Sequence, residues 1–199
     1  MRIAVIGAGN VGATLGKAWL AAGHSVTYGV RKPDGTHPEE KTVHEAATGA
    51  EVVVLATPWP AIEDALAACG DLSGKVVVDC TNPLLPGLAG LELGTTTSGV
   101  EKVAALAPAA CVVKAFNTVG FNVMANPVFD GRPVSMLYCG DDAGAKTAVR
   151  QLIVDCGFEP VDAGPLKQAR LLEPFALLWI SMAMQYGYGR EIAFRFLRR

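Results

Sequence analysis

The stretch Arg2-Ile3-Ala4-Val5-Ile6-Gly7-Ala8-Gly9-Asn10-Val11-Gly12 decides the fold. A short apolar run of strand character leads directly into G-x-G-x-x-G. Alone that pattern is weak. Here it follows a first strand and opens a first helix, which is the context that gives it meaning. Gly7 permits the tight turn, Gly9 lets the backbone approach a pyrophosphate, and Gly12 lets the helix pack closely on the strand. The N–H groups at the start of that helix, through Asn10 and Val11, and the helix dipole would stabilise phosphate charge. A glycine-rich turn without a ligand is the competing reading.

Outward from this loop, Val11, Leu15, Ala18 and Ala22 fall on one helical stripe that Gly23 can end. Strand candidates follow at 25–30, 51–56, 75–80, 111–115, 134–138 and 158–162. Most are continuous apolar runs, the mark of strands covered on both faces. Ser98 with Glu101 fits a capping box before a helix at 99–106, and Asp141 or Asp142 can cap a helix running to about Val154. Alternating βα units imply right-handed crossovers and a doubly wound, mostly parallel α/β sheet of Rossmann type. The longest loop-like stretch, 81–98, is rich in Gly, Pro, Leu and Thr. From Pro165 the pattern becomes one long helix, expected to bend near Pro174, and a last helix is expected after Gly187 and Gly189. The expected division is a dinucleotide-binding domain at 1–164 and a helical extension at 165–199 that completes the fold or a dimer interface.

Which dinucleotide binds follows from the end of the second predicted strand. NAD binders place Asp or Glu there to hold the ribose 2′-OH. This chain has Val30-Arg31-Lys32. A carboxylate would repel a 2′-phosphate, whereas Arg31 can grip one bidentately and Lys32 adds a point charge. The expectation is NADP, and the alternative is that Asp34 takes the ribose.

Ligands in open α/β sheets lie outside the carboxyl ends of the strands. The next predicted strand ends in Ala56-Thr57-Pro58-Trp59-Pro60, which could line the cofactor path. Trp59 could stack on a ring or serve only in packing. Asn82 and Asn117 stand at two further strand ends expected to converge on the nicotinamide. Asn117 is the stronger candidate, because Asn82-Pro83 also suits a simple turn. No nucleophile–base pair stands out, and no catalytic side chain can be named. Hydride transfer fits this absence, since the cofactor carries the chemistry.

Composition agrees with this class. The chain has 199 residues, a net charge of −2, 51% hydrophobic residues and 18% charged ones. That balance favours neither nucleic acid nor an anionic membrane as partner. The shortage of charge fits a large core or apolar surface hidden between subunits. Five cysteines at irregular spacing read as free thiols in a reducing cytoplasm, and no metal-ligand spacing occurs. No signal peptide or membrane-length apolar run is read.

The chain resembles the deazaflavin-dependent NADP oxidoreductases, which transfer hydride between NADPH and the 5-deazaflavin coenzyme F-420. The resemblance rests on Ile6 to Gly12, Gly23-His24, Gly29-Val30-Arg31-Lys32 and Ala56-Thr57-Pro58-Trp59. Later it rests on Cys139-Gly140-Asp141-Asp142, Asp162-Ala163-Gly164-Pro165-Leu166 and Ala169-Arg170-Leu171-Leu172-Glu173. It implies pyrophosphate at Gly7 to Gly12, 2′-phosphate at Arg31 and Lys32, cofactor flanked by Thr57, Pro58 and Trp59, and a homodimer. Two stretches, Asp79-Cys80-Thr81-Asn82-Pro83 and Lys114-Ala115-Phe116-Asn117-Thr118, are more similar to predicted dinucleotide-binding relatives and to the reductase domain of STEAP metalloreductases, which use a flavin. The acceptor is therefore left as deazaflavin or flavin. A non-catalytic NADP-binding sensor and a reductase of a small carbonyl or imine are the other readings.

Overall fold

Valine-rich runs become the strands. In the computed structural model, which describes residues 1–37 and 39–199, β1 (Arg2–Ile6), β4 (Val52–Leu55), β5 (Val76–Asp79) and β6 (Cys111–Lys114) form the middle of a sheet. Their side chains alternate between two cores. Ile3, Val5, Val52 and Val54 face one, while Ala4, Ile6, Val53 and Leu55 face the other. The first core is closed by α1 (Asn10–Ala21), α5 (Phe121–Ala125) and α6 (Ala143–Asp155), and the second by α2 (Val43–Gly49), α3 (Ile62–Cys69), α4 (Gly99–Leu106) and α7 (Ala169–Met184). Trp19 of α1 is wholly buried in the first, its Nε1 donating to Leu152 O at 3.0 Å.

With β2 (Ser25–Val30), β3 (Glu40–Thr42), β9 (Ser135–Gly140) and β10 (Glu159–Asp162), the order is β10-β9-β6-β5-β4-β1-β2-β3. Strands β1 to β6 are parallel. β9 runs antiparallel to β6, and β10 parallel to β9. The chain goes from β1 outward to β2 and β3, then returns to β4 on the other side. That reversal places a crevice at the carboxyl ends of β1 and β4.

Several elements depart from the sequence expectation. The edge strand β3 and helix α2 were not anticipated, because 37–42 is polar and lacks an apolar run. The Thr42–Glu45 capping box that starts α2 was a legible signal. The ribbon of β7 (Val128–Phe129) and β8 (Arg132–Pro133) was also missed. Its Asp130-Gly131 turn, both φ positive at 49° and 71°, carries a known hairpin signature. Helix α7 runs unbroken through Pro174. The last helix expected after Gly189 does not form. The tail instead packs without helical structure against the starts of β9 and β10, where Phe196 N donates to Ser135 Oγ at 3.0 Å and Arg195 Nε lies 3.5 Å from Glu159 Oε2, and against α7, where the Phe194 and Phe175 rings sit 4.8 Å apart. Trp179 Nε1 bonds Ile192 O at 2.7 Å, so side chains hold the tail where helical bonds were expected to.

Candidate functional site

The loop after β1 is shaped by what its glycines exclude. Gly7 has φ +99°, and a Cβ there would lie 2.8 Å from Ala56 O. A Cβ on Gly12 would overlap the Gly7 carbonyl and lie 3.0 Å from Val5 Cγ1. Only Gly7 and Gly12 are thus forced by the protein itself. At Gly9 the same construction meets nothing within 4 Å, so that glycine borders open space in which a ligand could rest on the backbone.

Behind Gly9, the N-terminus of α1 has no side-chain cap and no acidic residue in its first turn. The first intrahelical bond there is Ala13 N to Gly9 O at 2.8 Å, which leaves the N–H groups of Asn10, Val11 and Gly12 without helical partners. Three other helices of the chain fill such positions, whereas α3, α5 and α7 also start without a side-chain cap. Thr42, Ser98 and Asp142 cap α2, α4 and α6, with Glu45 and Glu101 added at the first two.

At the end of β2, Arg31 and Lys32 are exposed, and among the described residues no carboxylate lies within ion-pair distance of either. Asp34 is engaged within its own loop. Its carboxylate accepts from Thr36 N at 2.9 Å and from the Thr36 hydroxyl, which hold the carboxyl below its ordinary range. Glu40 closes the same loop by accepting from the N–H groups of Asp34, Gly35 and His37.

Ala56 and Thr57 stand beside the glycine loop at the end of β4. Ala56 N donates to Ile6 O at 2.9 Å, and Thr57 Oγ1 is buried with no protein partner. Pro58 is exposed. Trp59 is buried in the second core, its Nε1 donating to Glu92 Oε2 at 2.9 Å and Lys102 Nζ lying 5.5 Å from its ring centre. It stands as a packing residue and offers no free face for stacking.

Asn82 and Asn117, the two strand-end amides, bond one another. Asn82 Nδ2 donates to Asn117 O and Asn117 Nδ2 to Asn82 Oδ1, both at 3.0 Å, and Asn117 Nδ2 also reaches Leu172 O at 3.3 Å. Asn117 Oδ1 is buried without a partner among the described residues. Just before it, Phe116 holds φ +62°, a conformation that costs a bulky residue about 1–3 kcal/mol. Its ring is buried edge-on to Trp19 and Phe158, and this packing holds the strained turn in place. Near these strand ends, Leu88, Phe121, Trp179, Ile180, Met184 and Arg190 line an apolar recess of about 350 Å³.

Sequence reasoning did not single out the charged cluster behind the amide pair. Lys114 Nζ lies 2.9 Å from Asp79 Oδ2 and 2.8 Å from Glu173 Oε1, and all three side chains are fully buried. Each is a lone charge within an apolar run, which marks burial singly, but nothing in the sequence joins the three. Four buried thiols are poor nucleophiles. Burial pushes Cys69 up to about 11 and Cys139 and Cys156 up to about 12, and Cys80 is raised further. Among the described residues there is no cluster of metal-binding side chains, and no helix is long and apolar enough to cross a membrane.

A family model described as coenzyme F-420-dependent NADP oxidoreductase matches residues 2–83. A crystal structure of a proposed F-420-dependent NADP reductase from Arthrobacter sp. FB24 is 32% identical and aligns over 100% of both chains with a TM-score of 0.89. The metalloreductase STEAP3 of Rattus norvegicus is 32% identical over 183 residues, 88% of this chain and 36% of the rat protein. The chain thus spans little more than a third of that curated relative. A reductive aminase of Aspergillus terreus, solved with NADPH and ethyl levulinate, is 18% identical with a TM-score of 0.70, over 94% of this chain and 62% of that one. At that identity it bears on the fold alone.

Proposed function

Since this chain belongs to the coenzyme F-420-dependent NADP oxidoreductase family, we propose that it binds NADP(H) along the carboxyl edge of the sheet and passes hydride between the nicotinamide and a deazaflavin or flavin. The observation that carries the reading is the uncapped N-terminus of α1 behind the open space at Gly9. A helix start that joins unpaired N–H groups to open space beside the first strand attracts a diphosphate.

In this reading the backbone from Gly7 to Gly12 holds the diphosphate, with Asn10 and Val11 supplying N–H donors. Arg31 and Lys32 hold the 2′-phosphate, free to do so because no carboxylate among the described residues pairs with either. Ala56, Thr57 and Pro58 border the cofactor. Trp59 acts from behind by packing the β4 end in place. Asn82 and Asn117 stand at the nicotinamide end, where the spare Asn117 Oδ1 suits a carboxamide N–H. The nicotinamide supplies or takes up the hydride, and the chain's residues bind and orient it. No side chain is assigned as an acid or base. The apolar recess on the same side suits a broad, flat acceptor. Residues 1–164 would form the nucleotide-binding unit, with 165–199 completing it, in a cytoplasmic homodimer.

Stopped-flow absorbance with NADPH and, separately, F-420, FMN and FAD tests the proposal. The expected result is NADPH oxidation coupled to reduction of at least one acceptor. Binding of NADPH with no transfer to any of the three would refute the acceptor class and leave the nucleotide-binding sensor.

A further inference from the structure

The triad at the carboxyl ends of β5 and β6 contains two acids and one base, none of them exposed. The donors to the acids can be counted. Asp79 Oδ2 takes Lys114, and Asp79 Oδ1 takes the Thr81 N–H at 2.9 Å and the Thr81 hydroxyl at 2.7 Å. Glu173 Oε1 takes Lys114 and the Val100 N–H at 3.2 Å, and Oε2 takes the Gly99 N–H at 2.8 Å. Lys114 also donates to Thr81 O. Every carboxyl oxygen accepts, and neither acid is called on to donate. The pattern is that of two carboxylates around one ammonium, which sums to one excess negative charge.

Little nearby cancels it. Arg170 and Glu101 neutralise one another at 2.6 Å. The α4 N-terminus that Glu173 caps contributes about half a positive charge. The remainder sits in protein, where fields are screened less than in water. Stability alone does not call for such a cluster, because apolar side chains of similar volume often serve as well. Its position is specific. Thr81, bound by both Asp79 and Lys114, immediately precedes Asn82, which is paired with Asn117.

We infer that the Asp79–Lys114–Glu173 triad imposes a net negative field on the nicotinamide end of the site, so that the oxidised, cationic ring is held more tightly relative to the reduced, neutral one. The inference rests on the NADP reading above. When a C–H bond of the dihydronicotinamide breaks, its electron pair leaves with the hydrogen as hydride to the deazaflavin or flavin, and the ring left behind carries a positive charge. A fixed negative field favours transfer in that direction.

The test is calorimetric titration of NADP+ and NADPH separately, with no acceptor present. Glu173→Gln and Asp79→Asn each remove one negative charge and keep the side-chain shape. Each is expected to raise the ratio Kd(NADP+)/Kd(NADPH) by roughly three- to tenfold. A purely structural role would weaken both ligands equally, and an unchanged ratio in a folded variant overturns the inference. Should neither variant fold, the wild-type ratio decides. NADP+ bound at least as tightly as NADPH supports the field, and NADPH bound several-fold tighter overturns it. If wild-type protein binds neither nucleotide, the NADP reading itself falls, and this inference with it.

Discussion

The carboxyl edge of the sheet has two ends that handle charge in opposite ways. At the β1–β2 end, the N–H groups of α1 are uncapped, and Arg31 and Lys32 stand exposed with no carboxylate beside them among the described residues. At the β5–β6 end, Asp79, Lys114 and Glu173 are fully buried and bound to one another, and even the α4 N-terminus is closed by Ser98 and Glu173. One end is left electrostatically unfinished within the chain. The other is complete before any ligand arrives. The contrast separates binding from orientation: the open end can take up phosphates, and the closed end can hold amides and a field in place without reorganising.

The largest expected effect is at the closed end. Lys114→Met would leave two buried carboxylates facing each other, and unfolding in urea should show a loss of about 3–5 kcal/mol. A loss under 1 kcal/mol would mean that water reaches the cluster and the end is not closed.

At the open end the sign is reversed. Gly9→Ala fills space that the protein itself does not use, at φ −73°. Stability should change by no more than about 0.5 kcal/mol. NADPH affinity should fall about tenfold or more, about 1.4 kcal/mol. Equal binding in both proteins would show that no ligand approaches that backbone.

A smaller effect lies between the two ends. Arg170, first, and Ser98 hold the Glu101 carboxyl below its ordinary range. A carboxyl lowered on folding adds stability above its unfolded pKa and loses it as pH falls through the folded one. The pair is partly exposed, so Glu101→Gln should cost less than about 1 kcal/mol at pH 7. The difference between the proteins should vanish in acid. A difference that persists there would point to packing instead of charge.

The two ends also differed in how far the sequence revealed them. The open end was legible because backbone chemistry writes itself as glycines at fixed spacing, and Gly7 and Gly12 occupy the tight positions that the spacing implied. That β1, β2, β4, β5 and β6 lie parallel was legible from their apolar runs for a similar reason. The closed end was not, because its members are 35 and 59 residues apart in sequence (79 to 114, 114 to 173) and only the fold brings them together. Asn82 and Asn117 were read as strand-end amides at the nicotinamide, and their mutual hydrogen bonds were not foreseen, because they depend on the turn that Phe116 makes at positive φ, which no propensity foretells. Trp59 was ambiguous because an aromatic between prolines suits stacking and packing alike, and the partner that settles its orientation, Glu92, lies in a loop without periodicity. The tail was misread as a helix because its residues are spent on the start of β9 and on α7.

Calorimetric titration with NADPH and NADH, ligands that differ only in the 2′-phosphate, tests most directly whether the unfinished end is a dinucleotide site. The account predicts that wild-type protein binds NADPH more tightly by about 2 kcal/mol, and that Arg31→Ala removes most of that margin while leaving NADH nearly unchanged. Equal affinity for the two ligands in wild-type protein, or an equal loss for both in the variant, would contradict it.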